Sequence, residues 1–243
     1  MNRSAPRVVS WIVTLLTPIF LMGLALRLML SPWFLQVEYR VPNFPPDTYG
    51  FSQADRLHWA PFAWDYVVNE AGISYLADLK FENGKPLFNE RELSHMQDVK
   101  NVVQWALRTW LVVTAILILL GFWAWNSGWR MGFLRGLRRG GWLMLGLTAV
   151  IGLFASLAFW QFFELFHALF FKGDSWLFEY SDTLIRLFPL QFWEDVFIWV
   201  ALIVVGGAVG LALGIKPQTG RGLAVPREGT ANPGGTGRAG DDV

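Results

Sequence analysis

Cysteine is absent from the 243-residue sequence. That excludes disulfides, thiolate nucleophiles, iron–sulfur clusters and Cys-ligated zinc. Charge is also scarce, at 16% of residues, against about 25% in an ordinary soluble domain. The formal net charge of +1 lacks the strongly basic face of a dedicated nucleic-acid binder, so no nucleic-acid partner is expected. There is no P-loop, no dinucleotide fingerprint and no Gly-x-Ser-x-Gly elbow. What the chain has instead is apolar and aromatic: 53% hydrophobic residues, with 14 Trp, 20 Phe and 5 Tyr. This balance places it in a membrane.

The gaps between charges locate the spans. Nothing is charged between Arg7 and Arg27, Arg108 and Arg130, Arg139 and Glu164, or Asp195 and Lys216, windows of 19, 21, 24 and 20 residues. A spanning helix needs about 20, and lipid demands internally satisfied backbone. The expected fold class is an all-α integral membrane protein with four transmembrane helices and a small extracytoplasmic cap containing a β-hairpin. The expected organisation is a first span within 1–30, a cap over 31–100 and a second span over 101–126. A basic cytoplasmic loop at 127–140 precedes a third span at 141–165. An aromatic extracytoplasmic loop at 166–192, a fourth span at 193–215 and a disordered tail at 216–243 complete the chain. The first apolar stretch is too long for a signal peptide, and no small-residue cleavage site follows Leu30.

Basic residues set the expected orientation. Segment 127–140 carries Arg130, Arg135, Arg138 and Arg139 and no acid, while 31–100 holds ten acids and six bases. Both termini are therefore expected in the cytoplasm, with the cap on the outer face. Within the cap, Ser52 with Asp55 signals a helix start that Pro61 interrupts. Tyr75–Phe81 alternates and runs into the turn pair Asn83-Gly84, a hairpin signal. Asn89 with Glu92 reads as a capping box opening a helix that continues into span two. Gly206-Gly207-Ala208-Val209-Gly210 in span four reads as a close-packing stripe.

The chain has three histidines, His58, His95 and His167, and they alone ordinarily titrate near neutrality. His58 sits beside Trp59 and reads as packing. His95 and His167 lie on separate segments, yet a helical rise of about 1.5 Å per residue puts both within roughly 10–15 Å of the outer hydrocarbon edge. Acids lie three residues away, Glu92 and Asp98 around His95 and Glu164 before His167, where helical spacing puts them on the same face. Glu164 falls in an apolar zone, where an acid is costly unless paired or functional. Two Glu-x-x-His pairs leave a di-metal carboxylate site open as a reading, and two histidines leave bis-His haem ligation open. A sensor or chaperone with incidental histidines is the non-enzymatic alternative.

Two segments carry a family resemblance. One is Leu87-Phe88-Asn89-Glu90-Arg91-Glu92-Leu93-Ser94-His95-Met96-Gln97-Asp98-Val99-Lys100. The other runs from Phe166-His167-Ala168-Leu169-Phe170-Phe171 through Trp176-Leu177-Phe178 and Asp182-Thr183-Leu184-Ile185 to Leu187-Phe188-Pro189 and Phe192-Trp193. Together they resemble the bacterial lipoprotein intramolecular transacylases, four-span integral membrane proteins, over roughly residues 10–215.

The resemblance implies a cofactor-free membrane enzyme of the bacterial inner membrane whose substrates are diacylglyceryl-modified lipoproteins lying among membrane lipid. The acyl chain at sn-2 moves onto the lipoprotein's own α-amine, giving an N-acyl lyso form. The matching positions imply His95 and His167 as the catalytic pair. Counting from amine nitrogen to acyl carbon gives an eight-membered ring, so an enzyme gains chiefly by holding the folded conformer. A base and an acid suffice and no acyl-enzyme is needed. His95 oriented by Asp98 is the expected base and His167 the acid, with the reverse assignment open. Glu164, Asp182 and Tyr180 are the expected supporting groups, Tyr180 or Trp176 as oxyanion donors. Phe166, Phe170, Trp176 and Phe188 are the expected pocket walls, and no metal ligands are assigned.

Overall fold

The computed structural model describes residues 5–216 except 43, 172 and 174; the expected tail lies almost wholly outside them. In chain order the described helices are α1 (Ala5–Met29), α2 (Pro32–Glu38), α3 (Gln53–Tyr66), α4 (Ser74–Ala77), α5 (Glu90–Asn126), α6 (Arg130–Leu157), α7 (Phe159–Phe170), α8 (Thr183–Leu187) and α9 (Leu190–Gly214). Four of these, α1, α5, α6 and α9, are long and apolar enough to cross a membrane, with mean hydropathies of 1.8 to 2.6. The protein is a nearly all-helical, four-span membrane protein.

Charge-free windows marked membrane limits, and several helices run past them. α5 has 37 residues, about 55 Å at 1.5 Å per residue, so its first turns stand above the hydrocarbon. The segment expected as a basic loop, 127–140, is helical from Arg130 onward, and only Ser127–Trp129 form the turn. Arginine is a good helix former, so those turns simply continue into α6. At the other end α6 breaks at Ala158 (φ −150°, ψ 58°) before α7 resumes.

The bundle closes through small residues on α6. A Cβ at Gly136 would lie 2.7 Å from the Ser10 carbonyl oxygen, and one at Gly141 would lie 2.7 Å from that of Ala208. At Gly140 it would collide with Thr17. The stripe expected in span four takes part through Ala208, which is fully buried against Gly141, and through Gly207, which meets Leu21, while Gly206 and Gly210 meet nothing within 4 Å. Polar groups at the same seam bond across helices. Ser10 Oγ donates to the Gly132 carbonyl (2.6 Å) and Thr14 Oγ1 to that of Gly136 (3.2 Å). Arg139 donates to Ser10 Oγ (2.7 Å) and lies over Trp11.

The cap folds onto the bundle through rings. Phe34, Tyr39, Tyr66, Phe188 and Phe192 are buried in one core with Leu76, Leu87 and Leu187. The Ser52/Asp55 capping box is present, but Pro61 lies inside α3 and does not stop it; burial of Ala60, Ala63 and Tyr66 around it offsets the lost N–H. At Asn83-Gly84 the chain turns with one antiparallel bridge, Lys80 to Pro86, in place of two strands. Pro86 has no N–H to extend a ladder, and Tyr75 is drawn instead into α4, where it stacks on Tyr66.

The close approach at Gly140 is testable. Gly140→Ala lowers stability in mild detergent by about 1–3 kcal/mol through overpacking. Gly146→Ala, which meets nothing within 4 Å, is neutral or slightly stabilising. Thermal midpoints of both variants check this, and equal midpoints contradict it.

Candidate functional site

A second capping box begins α5. Asn89 accepts from the Glu92 N–H (3.0 Å), and Glu92 Oε2 accepts from the Asn89 N–H (2.7 Å). The Glu92 carboxylate is buried, and its other oxygen accepts from the Leu184 N–H of α8 (2.7 Å). Burial pushes this carboxyl up, against the backbone N–H donors that hold it down. Thr183 Oγ1 donates to the Leu87 carbonyl (2.6 Å). Asp182 accepts from Asn89 Nδ2 (2.9 Å), from Arg91 (3.3 Å) and from the Glu179 N–H (2.9 Å). These bonds tie the 179–184 segment to the head of α5.

His95 follows Glu92 by three residues and lies under that tethered segment. His167, on α7, approaches from the other side. The two rings are 6.1 Å apart between centroids and 22° from parallel. Both side chains are 8% exposed. Phe171 touches both, at 5.0 Å from His95 and 5.4 Å from His167. Phe178 closes over His95 (5.3 Å), while Trp176 and Phe163 flank His167 at 4.8 and 4.1 Å.

Both histidines lie beyond the apolar windows of their helices, in the part that stands above the hydrocarbon. Desolvation, followed by the facing imidazole, lowers His95 to about 4. Desolvation also lowers His167, against a backbone hydrogen bond that raises it. Both rings are therefore neutral at pH 7. His167 Nδ1 lies 2.8 Å from the Phe163 carbonyl oxygen, an acceptor only, so Nδ1 carries the proton and Nε2 presents a lone pair. His95 Nδ1 is buried and has no hydrogen-bond partner among the described residues. A buried polar atom without a partner is unusual in a folded protein and calls for a functional account.

The other expected site residues distribute unevenly. Trp176 stands against His167, and Phe166 is 5.6 Å from it. Phe170 is exposed and packs on Phe166. Phe188 is a core residue among Trp64, Phe192 and Trp193. Asp98 makes no hydrogen bond to His95, and Glu164 is exposed on α7 without a partner among the described residues. Asp182 supports the loop and not a histidine. Tyr180 is 81% exposed and borders a different cavity. His58 packs on Trp59, 4.4 Å away.

No group of three or more potential metal ligands occurs among the described residues. The acids that a di-metal reading needs are turned out or engaged elsewhere, and Phe171 occupies the contact zone of both rings, where a haem would need a flat slot. Phe163, Phe171 and Phe178 were visible in the sequence as part of an aromatic excess, with nothing in their spacing to rank them above Phe170 or Phe188.

Four membrane-crossing helices and a helical cap define a polytopic membrane protein, with two buried imidazoles under an aromatic roof at the base of the cap. The chain belongs to the lipoprotein intramolecular transacylase (Lit) family, whose model matches residues 11–193. It is 32% identical over 201 residues to an uncharacterized protein of Aquifex aeolicus (strain VF5), covering 81% of this chain and 88% of that one. Its fold is similar to the in meso structure of the membrane-integral transacylase Lit from Bacillus cereus. The TM-score is 0.68 at 19% identity, over 86% of this chain and 93% of that one. A histidine-to-arginine form of that protein matches at TM-score 0.65 and 18% identity, over 86% of this chain and 89% of that one. The protein is thus a membrane transacylase.

The tautomer of His167 is directly measurable. In a protein labelled with nitrogen-15 histidine, its Nδ1 reads as protonated and Nε2 as bare at pH 7. An Nε2–H signal from His167 contradicts the Phe163 hydrogen bond.

Proposed function

We propose that the protein moves the sn-2 acyl chain of a diacylglyceryl-cysteine lipoprotein onto that lipoprotein's own α-amine, with His167 and His95 as the catalytic pair. The observation that carries this reading is the facing, buried pair of imidazoles beneath the aromatic roof. Family membership supplies the reaction class, and the site supplies acid–base groups where a lipid-linked substrate enters from the bilayer.

His167 is the better base. Its Nδ1–H is spent on the Phe163 carbonyl, which leaves Nε2 to accept a proton. This moves the base expected at His95 to His167, because Asp98 does not orient His95, and leaves His167 as the proton donor to the sn-2 oxygen as well. In the reaction the neutral amine nitrogen attacks the sn-2 acyl carbon and its proton passes to His167 Nε2. The tetrahedral centre then collapses, the bond between acyl carbon and sn-2 oxygen breaks, and that oxygen takes the proton back from His167. His95 stands on the opposite side and donates its ring N–H to the oxygen on which charge develops. One amide forms, one ester is lost, and the mass of the lipoprotein is unchanged.

The aromatic roof of Phe171, Trp176 and Phe178 favours the compact conformer and excludes water. Water exclusion matters because hydrolysis of the same ester competes with transfer. Holding reacting groups in place is worth up to roughly 7–11 kcal/mol, and each general acid or base typically about 10²–10⁴-fold. Both termini and the arginine-rich start of α6 are assigned to the cytoplasm, with the cap and site on the outer face of a bacterial inner membrane.

Expression in a bacterium whose lipoproteins carry a free amine and two ester-linked chains tests this. Mass spectra of N-terminal lipopeptides show conversion to the lyso N-acyl form at unchanged total mass. His167→Ala and His95→Ala each cut conversion by about 10²-fold or more. An untouched sn-2 ester with the wild-type protein contradicts the reaction, and full activity in both variants contradicts the site.

A further inference from the structure

A second concave site lies on the cap, two residues beyond the Phe178 that closes over His95. It is a cavity of about 280 Å³ lined by Asp47, Tyr49, Arg56, Tyr180, Arg186 and Pro189, with Thr48 on its lip. Its charge does not cancel. Two guanidinium groups face a single carboxylate, and that carboxylate is already engaged. Asp47 accepts from the Phe51 N–H (2.6 Å), the Tyr49 N–H (3.3 Å) and Arg186 Nε (3.0 Å).

Arg56 is 5% exposed and held by neutral partners alone. Its Nε donates to the Arg186 carbonyl (2.9 Å) and its Nη1 to the Pro45 carbonyl (2.6 Å). Arg186 Nη2 donates to the Tyr49 carbonyl (3.2 Å), and its guanidinium lies 3.7 Å over the Phe51 ring. Among the described residues, Arg56 Nη2 and Arg186 Nη1 have no hydrogen-bond partner. Backbone carbonyls and a ring fix both planes, so two donors are aimed without the usual entropic cost of ordering a long side chain.

Height narrows the ligand. Pro189 caps the start of α9, six residues before the charge-free window opens after Asp195. At 1.5 Å per residue the cavity sits about 9 Å beyond the hydrocarbon edge, at the rim of the polar headgroup layer. Tyr49 and Tyr180 are 54% and 81% exposed at its mouth, as amphipathic rings are at that depth. Planar paired donors of this kind suit a phosphate oxygen pair.

We propose that this cavity binds the phosphate of an anionic phospholipid in the leaflet on the cap's side. The bound lipid pins α8, and through the Leu184 N–H and Glu92 it steadies the roof over the histidines. The lipid is an anchor and not a reactant, so the inference stands apart from the transfer chemistry.

The test uses the full-length protein in neutral detergent, titrated with phosphatidylglycerol, with phosphatidylcholine or with inorganic phosphate alone, and read by native mass spectrometry and thermal midpoint. Wild type retains one phosphatidylglycerol in preference to phosphatidylcholine, and inorganic phosphate gives no comparable midpoint rise. Arg186→Gln binds roughly tenfold more weakly, the loss of one charge-assisted hydrogen bond. Thr48→Glu, on the exposed lip, supplies its own carboxylate and loses the lipid while keeping the lipid-free midpoint of wild type. Equal retention of phosphatidylglycerol by wild type and Thr48→Glu overturns the proposal. So does inorganic phosphate that stabilises as well as the lipid, which assigns the cavity to a free anion.

Discussion

Burying the carboxylate of Glu92 is costly unless every oxygen finds a donor, and the structure meets that cost from two directions. One oxygen closes the capping box with Asn89 at the head of α5, and the other takes the Leu184 N–H from a loop more than ninety residues away. That one group therefore joins the second span to the connection between the third and fourth. Thr183 and Asp182 add bonds to Leu87, Asn89 and Arg91 along the same seam. His95 lies one helical turn below, so the tether that holds the loop also sets the roof over the imidazole.

The spans, the two capping boxes and the pairing of His95 with His167 were legible in the sequence because each rests on a local rule. Charge-free length marks hydrocarbon, Ser-x-x-Asp and Asn-x-x-Glu mark helix starts, and matched depth on two helices brings two histidines together. What escaped depends on direction and not on spacing. Asp98 and Glu164 are each three residues from a histidine, yet helical adjacency allows an interaction without requiring one. Glu164 turns outward, and Asp98 bonds neither ring. Glu92 read as a cap, and nothing local reveals that its second oxygen serves α8. The basic segment read as a loop because charge defines where a helix leaves the membrane, and α6 begins earlier than the membrane does.

The aromatic excess separates into three jobs. Phe34, Tyr39, Phe188 and Phe192 build the cap's core on the bundle. Exposed rings such as Trp33, Trp125 and Trp142 lie where lipid or headgroups meet the helices. Phe163, Phe171, Trp176 and Phe178 wall the imidazoles and keep them neutral. A neutral pair suits a transfer that needs a proton moved and returned within one enclosed substrate. In the proposed transfer the substrate's own amine attacks, so a chain without cysteine or a serine elbow needs no nucleophile of its own.

In the proposed mechanism one folded substrate molecule is held between the two imidazoles and gives its acyl chain to itself, and a crossover measurement separates this from transfer between molecules. Two synthetic diacylglyceryl-cysteine peptides, one carrying isotopic labels in both the peptide and the sn-2 chain and the other unlabelled, are mixed with the reconstituted protein. Their N-acyl products are then weighed. Only fully labelled and fully unlabelled products are expected, and His167→Ala lowers their yield by about 10²-fold or more. Mixed-label products would show that the chain leaves one molecule for another and would contradict it.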